Sequence, residues 1–213
     1  MHNNLRGQLA DGLDELKIGY SPEIITRLLE FRALLSKWNK IFNLTGIRDP
    51  ETMISHHLLD SLSASAYLRG PLVLDIGTGP GLPGIPLAMV HADKKFVLID
   101  SNAKKTRFVR QAVLELGLTH VEVMHERVEQ FKNELLFDTM ITRAVAEISG
   151  ILSASAHLLR EGGQLLAMGG RMPDHETLYP GFAARPIPIR VPGLHAQRHI
   201  LILTPESAQI ESG

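Results

Sequence analysis

The apolar positions of this chain come in blocks, and their period changes from block to block. From Ile24 to Phe42 they recur at steps of four and three, at Ile24, Leu28, Phe31, Leu35, Trp38 and Phe42. That is the repeat of one helix face. Ser21-Pro22 just ahead supplies an N-cap and a first-turn proline. A second helix is predicted over about 51–68, opened by Asp49-Pro50 and ended by Arg69-Gly70-Pro71. On it His57, Asp60, Ser61 and Ala64 share a face, beside the apolar Ile54, Leu58 and Leu62. Residues 1–20 carry a weaker amphipathic pattern and also read as helical.

Beyond Pro71 the pattern turns to short apolar runs. Leu72 to Ile76, Lys95 to Asp100, Val121 to Met124, Phe137 to Ala144 with its end at Arg143, and Gln164 to Met168 read as buried strands. Helices are expected from Ile85 to Val90, over 102–116 with Gly117 as the stop, and over 147–160, closed by Glu161-Gly162-Gly163. Residues 125–131 read as loop and short helix, and the Gly- and Pro-rich run 169–186 as a loop. Ile187 to Val191 and His199 to Leu203 make two last strands around a Pro192-Gly193 turn, an antiparallel edge, and 205–213 a frayed tail. Strands alternating with helices give an α/β fold with a mostly parallel seven-stranded sheet. The expected layout is a helical extension over 1–70, an α/β domain over 71–204 and a tail over 205–213.

The turn after the first strand changes the picture from fold to chemistry. Asp75-Ile76-Gly77-Thr78-Gly79-Pro80-Gly81-Leu82 puts glycines at 77, 79 and 81 between strand and helix. Such a turn builds a nucleotide site at the carboxyl end of an open α/β sheet. Glycine takes positive φ and lets a ligand approach the backbone. The dinucleotide fingerprint G-x-G-x-x-G fails, because its third glycine falls on Leu82. Asp100 closes the second strand at the place of a carboxylate that accepts from ribose hydroxyls, with a helix N-cap as its plainer role. The loop after the third strand brings Val128-Glu129 to the position of an adenine edge.

Composition narrows the class. The chain has 213 residues, 44% hydrophobic and 21% charged, enough for one full core. There is no cysteine, which excludes disulfides, thiolate metal sites and a cysteine nucleophile. No apolar run approaches a membrane span, and Met1-His2-Asn3-Asn4 lacks the layout of a signal peptide, so a cytoplasmic protein is expected. The formal net charge is −1, so any nucleic-acid contact must come from a local patch. Lys104, Lys105, Arg107 and Arg110 form one, four bases in seven residues on the helix after Asp100. Lys105 falls near that helix's apolar side and must snorkel. His195 and His199 are four apart but sit at a turn and strand, so no metal site is read.

Taken together, these stretches resemble a known family. Lys37-Trp38-Asn39-Lys40 with Asn43-Leu44-Thr45, His57-Leu58-Leu59-Asp60-Ser61, Asp75 to Pro86, Asp100-Ser101, Lys104-Lys105 with Arg107-Phe108, Arg127-Val128-Glu129, Thr142-Arg143-Ala144 and Arg198-His199 run in the order of the bacterial small-subunit (16S) ribosomal RNA guanine-N7 methyltransferases, the RsmG or GidB family. The resemblance covers about residues 35–200. It implies a Rossmann-like methyltransferase fold and S-adenosylmethionine as cofactor. It also implies cofactor contacts at Gly77, Leu82, Val128, Glu129 and Arg143, with Asp100 at the ribose. Gly79 and Gly81 join this set from the turn itself.

The implied partner is 16S ribosomal RNA or the small ribosomal subunit, with Lys104, Lys105, Arg107, Arg110, Arg171 and Arg198 as RNA contacts. His57, Asp60 and Arg143 are the positioning candidates, with no certain catalytic group. The family's lysine before the glycine after strand five is missing at Gly169-Gly170, and Arg171 stands two residues on as its replacement. Absent motifs agree with a ring-nitrogen acceptor. Carbon-five methylation uses a cysteine, and exocyclic-amine methylation an Asn/Asp-Pro-Pro-aromatic motif where this chain has Thr142-Arg143-Ala144. The rival readings are a nicotinamide-dependent oxidoreductase, a non-enzymatic RNA-binding assembly factor, and a methyltransferase for a protein or small molecule. Oligomeric state does not follow from the sequence; a monomer is the working expectation.

Overall fold

The computed structural model describes residues 2–132, 134, 136–143, 148–170 and 179–206. Helix α1 spans His2–Glu15 and α2 spans Pro22–Phe42. Ser21 caps α2, its Oγ accepting the Ile24 N–H at 3.4 Å. The apolar stripe of α2 faces the core, with Ile25 rather than Ile24 fully buried beside Leu28, Phe31 and Leu35. Phe31 and Trp38 lie 6.2 and 5.6 Å, centroid to centroid, from Phe108, which fixes α2 against the helix that follows Asp100.

The helix expected over 51–68 is neither continuous nor uniform. It runs as α3 (Pro50–Met53), a π-helical turn (Ile54–Leu59) and α4 (Asp60–Leu62), followed by a 3-10 turn at Ser65–Tyr67. In the π turn the Asp60 N–H reaches back to Ser55 O. Such wide turns cluster at functional sites because they re-aim the side chains they carry.

Seven strands form one sheet: β1 (Leu72–Ile76), β2 (Lys95–Asp100), β3 (Val121–His125), β4 (Phe137–Arg143), β5 (Leu159–Gly169), β6 (Phe182–Ile189) and β7 (Arg198–Pro205). Their spatial order is β3-β2-β1-β4-β5-β7-β6. Strands β1 to β5 pair in parallel, while β7 pairs antiparallel with β5 and β6. Helices α5 (Gly84–Val90) and α6 (Ala103–Glu115) cover one face together with α2, and α7 (Ile148–Ser155) covers the other. Strand residues alternate between the two layers. Phe96 and Leu98 join the first, Val97 and Ile99 the second. Among the described residues no helix is long and apolar enough to cross a membrane.

Four further stretches differ from the sequence reading. The helix expected over 147–160 ends at Ser155, and Leu159 already pairs with Phe137 in β5; the residues up to Gly163 bulge before the ladder resumes at Thr139 and Gln164. His125 ends β3, and residues 126–131 form a single turn, with Phe131 N–H donating to Arg127 O at 3.1 Å, instead of a short helix. Strand β6 begins at Phe182, inside the stretch read as loop, and ends at Ile189. The strand expected over Ile187 to Val191 thus starts five residues earlier and stops two sooner; Pro186 and Pro188 are accommodated because β6 lies at the sheet edge, where proline is tolerated. Strand β7 likewise extends to Pro205; residues 207–213 of the expected tail lie outside the described residues.

Candidate functional site

The glycine turn is built by two buried aspartates. Asp75 Oδ2 accepts from Thr78 Oγ1 at 2.6 Å and from Gly84 N–H at 2.8 Å, tying the turn to the first residue of α5. Burial pushes the Asp75 carboxyl up to about 7, against the pull of those two hydrogen bonds and of the Arg143 charge. Asp100 works from the next strand. Its Oδ2 accepts Gly79 N–H at 2.8 Å and its Oδ1 accepts Asn102 N–H at 2.7 Å. The N-cap of α6 is Asn102, whose Oδ1 accepts from Lys104 and Lys105 N–H, so the plainer role for Asp100 falls away. Gly77, Gly79 and Gly81 all have positive φ, at 67°, 59° and 82°.

Gly77, Asp100, Val128 and Glu129 line one cavity of about 170 Å³, with Ser101, Glu126 and Arg127 among its other walls. Four of the sequence-predicted cofactor residues thus meet. Leu82 does not join them by its side chain, which is 2% exposed in the core, and its N–H is committed to Thr78 O at 2.8 Å. Arg143 stands outside this cavity but next to it, since β1 and β4 are neighbours with Ile76 opposite Thr142.

A second cavity, about 260 Å³, opens beyond Arg143 at the carboxyl ends of β4 and β5. His57, Asp60, Arg143, Gly169, Arg198 and His199 are among its lining. Asp60 is 4% exposed and meets two arginines, one per oxygen: Arg143 Nη1 at 3.3 Å on Oδ2 and Arg198 Nε at 3.0 Å on Oδ1. Arg143 Nη1 also donates to His56 O at 3.2 Å, a carbonyl of the π turn. Arg198, expected as an RNA contact, thus sits inside this ion cluster.

His57 is hydrogen-bonded through Nε2 to Thr45 Oγ1 at 2.8 Å. Thr45 is held in turn by the buried Asn39, which accepts Thr45 N–H at 2.8 Å and donates to Thr45 O at 2.9 Å. Burial, with the charge of Arg143, pulls the His57 imidazole down to about 4, so it is neutral at physiological pH. Asn39, Thr45 and His199 were not singled out as site residues by sequence reasoning. Asn39 and Thr45 stood in the motifs that carried the resemblance, which was the available signal.

Gly169 also gains a physical reason. A Cβ there would meet His199 Cε1 at 2.6 Å, so the buried His199 ring excludes the side chain expected at that place. Arg171, its suggested replacement, lies outside the described residues.

On α6, Lys104, Arg107 and Arg110 are exposed and Lys105 is half-buried. Lys104, Arg107 and Arg110 share an open groove of about 510 Å³ with His125, Phe42 and Leu114. Arg110 is anchored, its Nη2 donating to Val123 O at 3.2 Å.

Comparison with known proteins decides the family. The model described as rRNA small subunit methyltransferase G, GidB, matches residues 24–185. The chain belongs to the GidB family. A GidB relative from Methylococcus capsulatus, named ribosomal RNA small subunit methyltransferase G, is 49% identical over 92% of this chain and 97% of its own. One of the same name from Coxiella burnetii is 44% identical over 91% and 95%. Among solved structures, a SAM dependent methyltransferase from Aquifex aeolicus shares the GidB fold at a TM-score of 0.55 and 18% identity, over 79% of this chain and 97% of that one. Membership in GidB leaves the oxidoreductase and fold-only readings without support.

Proposed function

We propose that this chain transfers a methyl group from S-adenosylmethionine to N7 of a guanine in 16S ribosomal RNA, in the cytoplasm where that RNA resides. The observation that carries the reading is a pair of cavities at the carboxyl ends of neighbouring strands, one around Gly77, Asp100, Val128 and Glu129, the other around Asp60, Arg143 and Arg198, with Ile76 of β1 lining the first and Arg143 of the adjacent β4 lining the second. The first suits a nucleoside. Each Asp100 oxygen takes one backbone N–H and keeps a further lone pair for a ribose hydroxyl. The positive φ of Gly77 and Gly79 turns backbone towards a ligand with no Cβ in between. Val128 and Glu129 would bound the adenine, and Arg143 would meet the methionine carboxylate.

S-adenosylmethionine would supply a sulfonium methyl carbon when bound, its C–S bond breaking as the new bond forms and the electron pair leaving on sulfur as S-adenosylhomocysteine. Guanine N7 is an acceptor with an in-plane lone pair and no hydrogen, so it attacks without losing a proton. The protein's task is to hold two reactants in line, which lowers a barrier by several kcal/mol. A neutral His57 bonded to Thr45 fits a wall of the pocket and supplies no required base. The test is methyl transfer to small subunits and to bare 16S RNA, with the product mapped by position. Label at N7 of one guanine is expected, and no label when that guanine is 7-deazaguanine. Transfer to the deaza base would place the methyl on another atom and refute the reading.

A further inference from the structure

Methylation at N7 forbids the contact proteins most often use for guanine. Arginine or lysine usually spans O6 and N7 together, but here N7 must be free to attack. The base must therefore be told from adenine at its opposite edge, where guanine offers N1–H and N2–H in parallel. Two parallel donors match the two oxygens of one carboxylate.

Among the described residues lining the 260 Å³ cavity, Asp60 is the one carboxylate. It stands on the first residue after the π turn, so the backbone sets its direction. Arg143 and Arg198 take one oxygen each and hold its plane, at 3.3 and 3.0 Å. Burying a carboxylate is costly unless such partners compensate it. Each oxygen accepts one of these bonds and has capacity for another. Adenine would bring a lone pair at N1, with no hydrogen, against the same oxygens.

We infer that Asp60 reads the target base, accepting N1–H and N2–H of guanine, while Arg143 and Arg198 are positioning residues that fix its carboxylate. This rests on the function proposed above. It assigns to the Asp60 cluster a specificity role beyond the stability an ion cluster could serve.

The test crosses base with residue. RNA carrying inosine at the target keeps N7, O6 and N1–H but lacks the 2-amino group. The unaltered protein should methylate inosine with kcat/KM about tenfold lower than guanine, the scale of one lost hydrogen bond to a charged group. Asp60→Asn presents an N–H to one guanine donor and should lower kcat/KM on guanine by about a hundredfold. Any loss of cofactor affinity passed on through Arg143 acts equally on guanine and inosine, so the ratio between the two bases isolates the role of Asp60. The guanine-to-inosine ratio should fall to near one in this variant. A ratio equal to the parent's would overturn the assignment, and so would equal rates on guanine and inosine with the unaltered protein, a comparison that needs no variant to fold. Absence of N7 transfer by the unaltered protein would instead sink the proposed function itself.

Discussion

His57 and Asp75 are both buried, and burial moves them in opposite directions. His57 sits near 4 in the fold against its ordinary 6.5. The unfolded chain therefore binds the extra proton first as pH falls. The stability that neutral His57 contributes is present above about 6.5 and is lost as pH falls towards 4. Asp75 is raised to about 7 against its ordinary 3.8. Its contribution is full below about 3.8 and is lost as pH rises through 7. Each is worth on the order of a few kcal/mol at most. The two slopes cancel in part between pH 4 and 6.5, so single variants are needed to see them. His57→Gln should flatten the acid side of a stability-versus-pH curve measured by urea unfolding. Asp75→Asn, which keeps the acceptor for Thr78 and Gly84, should remove the loss towards pH 7. A parent-like slope in either variant would contradict the burial argument for that residue.

The glycines separate in the same way. A Cβ at Gly84 would meet Asp75 Oδ2 at 2.6 Å and Leu98 Cγ at 2.8 Å. At Gly77 nothing lies within 4 Å, and only the φ of +67° resists a side chain. Gly84→Ala should cost about 1–3 kcal/mol through overpacking, and Gly77→Ala about 1–2 kcal/mol through backbone strain. Thermal melts would rank them. S-adenosylmethionine titration should show weakened binding in Gly77→Ala.

At the scale of elements, the link from α2 to the site runs through Asn39. Asn39→Ala leaves Thr45 N–H and C=O without their partner, at a cost of about 1–3 kcal/mol, and frees the loop that holds His57. Methyl transfer should slow in parallel, and an unchanged rate would show that the loop does not set the site. Helix α6 is expected to meet RNA phosphates through its exposed bases. Lys104→Gln with Arg107→Gln should reduce the slope of log affinity against log salt by about 0.7–0.9 for each lost contact. Arg110 is best left intact, because it anchors α6 to β3.

These elements show what sequence periodicity could carry. α2, α6 and strands β1 to β4 were legible because burial imposes a period on each. The π turn was not, since it keeps the same apolar residues and changes only the hydrogen-bond reach. The first half of β6 was hidden in the Gly- and Pro-rich run, while its second half, from Ile187, was read as a strand. The meeting of Asp75 with Thr78 was within reach of local reading. That of Asp60 with Arg198, 138 residues apart, depended on the whole topology.

At the scale of the molecule, the first core layer is continuous from Leu9 and Leu13 of α1 through Phe31 of α2 to Phe108 of α6 and Ile200 of β7. An extension that shares a core with the sheet should unfold with it, in one transition. Differential scanning calorimetry should give a single peak, and two peaks would mark the helical extension as a separate unit.

The sheet ends at β6, which is exposed over most of its length. An open strand of that kind is a template on which a second copy can lay its own strand. Pro186 and Pro188 are two residues apart, so their missing N–H groups fall on one side of the strand. The ladder to β7 continues past both, so that side faces away from the sheet. The rim lacks two donors in a row and cannot seed a continuous growing stack. Replacing both prolines with threonine would restore the donors. The apparent mass of that variant by light scattering should rise with protein concentration where the parent's stays flat.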